Sequence, residues 1–141
     1  PPPDEQYLFI DAMATRPMFP RVVNFKKVAE QLVDAGRQGY RVDFIATGSG
    51  SINILLRSDG AGPRSYRLVA NQSERGFLKE LNEAAAQGFR VLPDGFRALD
   101  ESSGFGRQTT WVAVMERSDA GRFTYSVAKG NINWPILSGF R

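Results

Sequence analysis

The chain has 141 residues, of which 42% are apolar, so it can bury one hydrophobic core without support from disulfides or a metal. It contains no cysteine and no histidine, which excludes thiolate nucleophiles, serine–histidine triads, disulfide bonds and zinc sites built on these residues. The formal net charge of +3 is only mildly basic and argues against a histone-like binder of nucleic acid. The composition therefore predicts a single domain without a cofactor, and it favours a role other than catalysis.

In chain order, the hydrophobic pattern predicts a strand, a helix and two strands, then the same series again, then a closing strand. Alternating apolar residues indicate the strands, and apolar residues three and four apart indicate the helices. Asn24 and Ser73 are the expected N-caps, and Gly39 and Gly88 stand where each helix should end. The predicted strands are 7–12, 40–46, 52–58, 65–70, 89–93, 110–117 and 122–128, and the predicted helices are 24–38 and 74–87.

The two halves of the chain resemble each other. The segment 39–42 (GYRV) aligns with 88–91 (GFRV) at a shift of 49 residues, and 52–59 aligns with 112–119 at a shift of 60. A third motif begins at Tyr7, Tyr66 and Tyr125, each 59 residues after the last. We therefore predict a tandem repeat within one domain, 1–141. Its parts are unit one at 7–58, unit two at 66–118, the closing strand at 122–128 and a docked tail at 129–141.

The predicted fold class is α+β. Turn residues between successive strands favour antiparallel hairpins, and both helices need an apolar face to cover. We expect a two-layer sandwich in which a mostly antiparallel sheet of about seven strands carries both helices on one face. Alternation puts Tyr40, Val42, Phe44 and Ala46 on the helix side of the sheet and Ile45 on the outer side. The candidate binding residues are predicted for the outer side: Arg41, Leu55, Arg57, Arg90, Trp111, Met115 and Arg117.

The glycine–aromatic–arginine–valine steps at 39–42 and 88–91 also point to a family. Together with the strand ends Leu55–Arg57 and Met115–Arg117, they are similar to the small bacterial β-α-β-β domains of unknown function called DUF4177. That family more often has Trp after the glycine, where this chain has Tyr40 and Phe89. The resemblance covers most of residues 7–128. It implies a β-α-β-β fold for each unit, and it implies no activity or site residue.

The predicted outer side of the sheet is half apolar, which a sheet face in contact with water rarely is. One interpretation is a surface for a protein partner or a homo-oligomer, since Trp, Met and Arg are enriched in such surfaces. The other is that the chain's own segment 93–108, with Phe96, Leu99 and Phe105, folds over this face. The sequence leaves both interpretations open.

Two further hypotheses come from other classes of function. The four outer-side arginines, with Trp111 to stack on, could bind a polyanion or nucleic acid, but pairing with Asp43 or Glu116 explains them equally well, and the modest charge favours the pairing. A small enzyme would have to use Asp, Arg or Tyr; Asp43, Asp94 and Asp100 show no paired spacing. No apolar run approaches the ~18–20 residues of a membrane-spanning helix. The lack of cysteine and the proline-rich start favour a periplasmic or secreted protein over a cytosolic one.

Overall fold

A computed structural model describes residues 6–13, 24–48, 50–103, 106–118, 124–129 and 135–138. Phe105, the start of the predicted closing strand at 122–123, and tail residues 130–134 and 139–141 lie outside these ranges. The helices are α1 (Phe25–Arg37) and α2 (Glu74–Ala86). The strands are β1 (Tyr7–Met13), β2 (Tyr40–Gly48), β3 (Ser51–Ser58), β4 (Tyr66–Asn71), β5 (Phe89–Ser103), β6 (Gly106–Arg117), β7 (Ser126–Lys129) and β8 (Pro135–Ser138).

The described strands form separate antiparallel sheets instead of the single sheet of about seven strands that the sequence predicted. Sheet A has the order β1-β3-β2, and sheet B has the order β4-β6-β5. β7 pairs with β8 in a short ladder, so part of the predicted tail is a strand. The fold class α+β is confirmed. Unit one, from β1 to β3, and unit two, from β4 to β6, have the same series of elements and the same strand order.

Both helices begin and end as their sequences predict. The side chain of Asn24 accepts a hydrogen bond from Lys27 N at 3.2 Å, and that of Ser73 accepts one from Gly76 N at 3.1 Å. These bonds satisfy N–H groups that the first turn of a helix leaves unpaired. Past the C-terminal ends, Gly39 and Gly88 have φ of 90° and 94°, a conformation that favours glycine.

A β-bulge in β2 reverses the predicted faces of two residues. Val42 pairs with Leu56 and Phe44 with Leu55, so Asp43 is an extra residue on this strand. As a result Phe44 points away from the core and is 61% exposed, whereas Ile45 is 4% exposed. The prediction that Phe44 faces the helix and Ile45 the outer side was wrong, because simple alternation does not hold across a bulge.

The register of the strands also corrects, by one residue, the predicted alignment of 52–59 with 112–119. Tyr7 pairs with Arg57 in unit one, and Tyr66 pairs with Glu116 in unit two. β6 therefore corresponds to β3 at a shift of 59 residues, from 57 to 116, and not 60. A one-residue change moves every side chain of a strand to the opposite face. Met115, predicted on the outer side, is fully buried beneath α2, and Trp111 is partly buried on that same side.

We call the sheet face that carries the unit's own helix its inner face and the other its outer face. One core cluster joins the inner face of sheet A and α1 to outer-face residues of sheet B, among them Val112 and Val114. A second cluster joins α2 to the inner face of sheet B, with Ala113 and Met115. The prediction that the two helices share one sheet face was therefore wrong, since each helix covers the inner face of its own sheet. The outer face of unit two is too apolar to stay in water, and unit one covers it.

Two tyrosine hydroxyls bond the backbone at the start of a strand that directly follows a helix. The hydroxyl of Tyr66 accepts a hydrogen bond from Val42 N at 3.0 Å and donates one to Tyr40 O at 3.1 Å. The hydroxyl of Tyr125 likewise accepts one from Val91 N at 3.0 Å. Burial, the largest cause, raises the pKa of Tyr66 to about 12. The Tyr66 hydroxyl therefore acts as a neutral structural group at ordinary pH.

Candidate functional site

The outer face of sheet A presents the large exposed apolar side chains of the described chain. Phe9 and Phe44 are both paired with Leu55, so the three side chains form one row across β1, β3 and β2. Phe9 is 58% exposed, Phe44 61%, and Tyr7, two residues before Phe9 on the same face, 59%. Leu55 is half-buried between them. We call Tyr7, Phe9, Phe44 and Leu55 the aromatic patch.

Charged side chains lie next to the aromatic patch. Arg41 and Arg57 are directly opposite each other on β2 and β3. Arg57 lies 3.9 Å from a carboxylate oxygen of Asp43, and Arg41 lies 3.9 Å from one of Asp59. A backbone N–H of Ala61 and then Arg64 lower the pKa of Asp59, so its carboxylate is ionised at neutral pH. Partly exposed pairs at this distance contribute little to stability.

The structure brings together only some of the predicted binding residues. Arg41, Leu55 and Arg57 share the outer face of sheet A, as expected. Arg90 pairs with Glu116 across β5 and β6 in unit two. The guanidinium of Arg117 lies 5.3 Å from the centre of the Phe89 ring and donates to Gln87 O at 3.1 Å. With Trp111 and Met115 in the second core, four of the seven residues lie away from the patch.

Sequence reasoning missed three of the four patch residues. The alternation of 7–12 does place Tyr7 and Phe9 on one face of the strand and Ile10 on the other, so the sequence held a signal for these two residues. Phe44 gave no such signal, because its orientation depends on the bulge at Asp43. The aromatic patch therefore differs from the predicted surface in residues, although it lies on the predicted side of β3.

The described residues of the segment 93–108 do not cover the aromatic patch. Its described residues extend β5 and β6 into a long hairpin in place of the predicted loop. Phe96 lies 5.7 Å from the ring of Phe77 on the α2 side, and Leu99, 1% exposed, belongs to the core between the units. The exposures of Phe9 and Phe44 show that within the described ranges no other segment buries them.

A cleft of about 420 Å³ lies where β2 meets β5, beside the bulges of both strands. Its main charged groups are already paired with protein atoms. Arg64 bonds Glu116 at 3.3 Å and Asp59 at 2.9 Å, and Arg97 donates to Ile45 O at 3.1 Å. The bond from Arg97 joins β5 of unit two to β2 of unit one, and the bonds of Arg64 join the connection between the units to itself and to β6. The arrangement resembles a structural junction more than a site with a poised acid and base.

Comparison of the chain with protein-family models, with curated proteins and with solved structures gives no match. Over the ranges that the structure describes, no three Asp or Glu side chains come together as a metal site requires. Neither α1 nor α2 is long and apolar enough to cross a membrane. The aromatic patch is therefore the feature of this molecule from which a function is best argued.

Proposed function

We propose that the protein is a non-enzymatic binding or assembly module that associates with another protein surface through the aromatic patch. The exposure of Tyr7, Phe9 and Phe44 on adjacent strands carries this proposal. Full burial of such a side chain contributes ~1.5–3 kcal/mol, so burying the exposed half of each ring would contribute roughly 1 kcal/mol. A partner that covers the three rings and Leu55 gains a compact apolar contact on a rigid sheet.

The surroundings of the aromatic patch also fit a protein partner. Interfaces typically have a core of aromatic side chains, and arginine is enriched among the residues that contribute most to binding. Here the rings form the centre, and Arg41, Arg57 and Asp43 lie at the margin. The rings are held by a sheet whose opposite face is fully packed, so little conformational entropy is lost when they are covered.

The polyanion and enzyme alternatives have less support from the geometry. A polyanion site would need its arginines on one stripe, but Arg41 and Arg57 lie on sheet A, while Arg90 and Arg117 lie on unit two. Each of the first two also has a carboxylate within 4 Å. An enzyme would need a cleft with charged groups directed at a substrate, whereas those of the cleft between β2 and β5 bind one another.

We also infer that the two units arose by tandem duplication, in agreement with the resemblance to the β-α-β-β domains of DUF4177. Hydrogen bonds at corresponding positions support this inference. Ser58 N donates to Gln6 O and Arg117 N to Ser65 O, both at 2.9 Å and 59 residues apart. Sequence profiles built separately from units one and two would test it: each should detect the other at the register of 59, and failure to do so would count against duplication.

Photo-crosslinking tests the proposed function directly. p-Benzoylphenylalanine in place of Phe44 should crosslink the protein to its partner, whether another copy or a different protein, and Phe9→Ser should weaken that crosslink. The same photo-reactive residue in place of Glu30, which is exposed on α1, is the matched control and should give no such product. A protein that stays monomeric at all concentrations and gives no Phe44-specific product in extracts of its source would contradict the proposal.

A further inference from the structure

We propose that the outer face of sheet A, led by Tyr7, docks on the α2 side of a second copy of this chain, in the place that the second copy's own Tyr125 occupies. This inference rests on the assembly function proposed above and specifies its partner. It comes from three tyrosines at equivalent positions. Two of them are fastened to a helix within the molecule, and the third is exposed.

The three tyrosines occupy the same place in their strand segments. Tyr7 and Tyr66 are the first residues of β1 and β4, and they pair with Arg57 and Glu116, which correspond to each other. Tyr125 directly precedes β7. Tyr66 and Tyr125 are 3% and 2% exposed, whereas Tyr7 is 59% exposed. The first of the three is thus much more exposed to solvent than the other two.

Each buried tyrosine lies on the end of a helix and the start of the strand that follows it. The hydroxyl of Tyr66 bonds the third residue of β2, Val42, and that of Tyr125 bonds the third residue of β5, Val91. The ring of Tyr66 contacts the last turn of α1, where an added Cβ on Gly36 would lie 2.7 Å away. Tyr125 shares its core cluster with Ala85, which is at the corresponding position of α2. We call the end of a helix, together with the start of the strand that follows it, the acceptor for a tyrosine.

The sheet face behind the tyrosine shows the same contrast. At the 59-residue register Phe9 corresponds to Leu68, and Leu55 corresponds to Val114. In unit two these positions are covered by unit one: Val114 is fully buried and Leu68 partly so. α1 packs closely along β4 there. In unit one the equivalent face is the aromatic patch, which would be covered in the same way by a helix placed along β1.

A second copy supplies that helix most readily from its α2. The acceptor on α1 is filled by Tyr66, which belongs to a complete three-stranded sheet. The acceptor on α2 is filled by Tyr125, which leads into the ladder of β7 and β8, four residues each. Asn82 holds Tyr125 through two hydrogen bonds, from its side-chain nitrogen to Tyr125 O at 2.9 Å and from Tyr125 N to its side-chain oxygen at 2.7 Å. A short ladder is more easily exchanged than a whole sheet.

The contact is head-to-tail, because the donor face lies in unit one and the acceptor lies in unit two. Such heterologous contacts use two different surfaces on each copy and leave one of each unused at the ends of the assembly. Within each copy, the tethered Tyr125 competes with the incoming Tyr7 at a high effective concentration. Association of the unmodified chain is therefore weak, and any change that loosens Tyr125 should strengthen it.

Sedimentation velocity over a range of concentrations of the full chain tests this competition. Asn82→Ala removes both bonds to the Tyr125 backbone, and we expect it to raise the association constant at least tenfold. Adding Tyr7→Ser to the same chain should remove the gain, and Tyr7→Phe, which keeps the ring and loses the hydroxyl, should remove only part of it. The matched control is Glu30→Ala, an exposed substitution on α1, which should leave association unchanged.

The outcomes separate this inference from the proposed function. An Asn82→Ala protein with a native circular dichroism spectrum that remains monomeric, or that associates equally with and without Tyr7, overturns the head-to-tail contact. Should Asn82→Ala not fold, Tyr125→Phe, which removes only the hydroxyl bond to Val91, must give the same Tyr7-dependent increase, and its failure overturns the inference as well. A Phe44-specific crosslink that these variants do not change would support the proposed binding module and show that its partner is a different one.

Discussion

Replacing Gly36 with alanine tests the contact between the helix of unit one and the sheet of unit two. Gly36 lies in the last turn of α1, and an added Cβ would stand 2.5 Å from Arg64 O and 2.7 Å from a ring carbon of Tyr66. Arg64 N also donates to Gly36 O at 2.7 Å, which holds the backbone of residue 64 close to the helix. The new methyl group therefore has a backbone atom in its way, which cannot turn aside as a side chain can.

The magnitudes predict destabilisation in spite of the better helix former. Alanine in place of glycine favours a helix by up to about 1 kcal/mol, and less near a helix end. Overpacking of a well-packed site costs about 1–3 kcal/mol, and losing the bond from Arg64 to Gly36 costs about 1 kcal/mol more. We expect Gly36→Ala to lower the free energy of unfolding by ~1–3 kcal/mol, which corresponds to a Tm lower by ~2–4 °C for each kcal/mol.

Urea unfolding followed by tryptophan fluorescence measures this difference. Gly76→Ala on α2 is the matched control, because its Cβ would meet the side-chain nitrogen of Asn71 at 2.7 Å, an atom that can rotate away. That change forfeits the bond from Ser73 N to the Asn71 side chain but gains helix propensity, so its effect should stay within about 1 kcal/mol. A Gly36→Ala protein as stable as the unmodified chain, or more so, would refute the close contact.

Three further predictions follow from single groups. Since the pKa of Tyr66 is about 12 in the folded protein and ordinarily 10, the stabilisation from its neutral hydroxyl is complete below pH 10 and is lost as the pH rises through 12. Over this pH range the free energy of unfolding of the unmodified chain should fall by roughly 2 kcal/mol more than that of Tyr66→Phe. Parallel curves of unfolding free energy against pH for the two proteins would contradict this. Asn24→Ala should cost about 1 kcal/mol by loss of the N-cap, and no change in thermal unfolding would disprove the cap. Phe44→Ser should change stability by less than about 0.5 kcal/mol and Ile45→Ser by more than about 2, and the reverse order would refute the bulge.

The helices and their ends were predictable because they depend on residues near each other in sequence. The side chains of Asn24 and Ser73 cap the first turns. Gly39 and Gly88 end the helices, because a residue without a side chain adopts positive φ easily. The periodicity of α1 and α2 also identified their buried faces. A prediction of this kind succeeds because capping and helix periodicity act over a few residues only.

The sheet faces were less predictable, because register is a relation between distant segments. The bulge at Asp43 is visible only when β2 is paired with β3. The shift of 59 in place of 60 for β6 depends on the partner strand β4, and this single residue decided the positions of Trp111 and Met115. Sequence similarity in 52–59 and 112–119 favoured the wrong register, since neighbouring residues in both segments are apolar.

The arrangement of the two units could not be predicted from either unit alone. Each three-stranded sheet has two edges that could have paired with the other sheet, and the predicted single sheet required such a pairing. What prevents this is the apolar outer face of unit two, where Val112 and Val114 require a cover that only unit one supplies. The aromatic patch then follows, because the outer face of unit one is left exposed by the same arrangement.

The bulges of β2 and β5 also have a consequence for how related sequences should be aligned. Asp43 is the extra residue of β2 in the register with β3, so its deletion would leave the other side chains of this strand on their present faces. The corresponding irregularity in β5 has four residues, 92–95, between Val91 and Phe96, opposite the single residue Val114 of β6. Gaps in an alignment therefore belong inside these strands, at the bulges. Length differences there change the lining of the cleft and keep both the core and the aromatic patch intact.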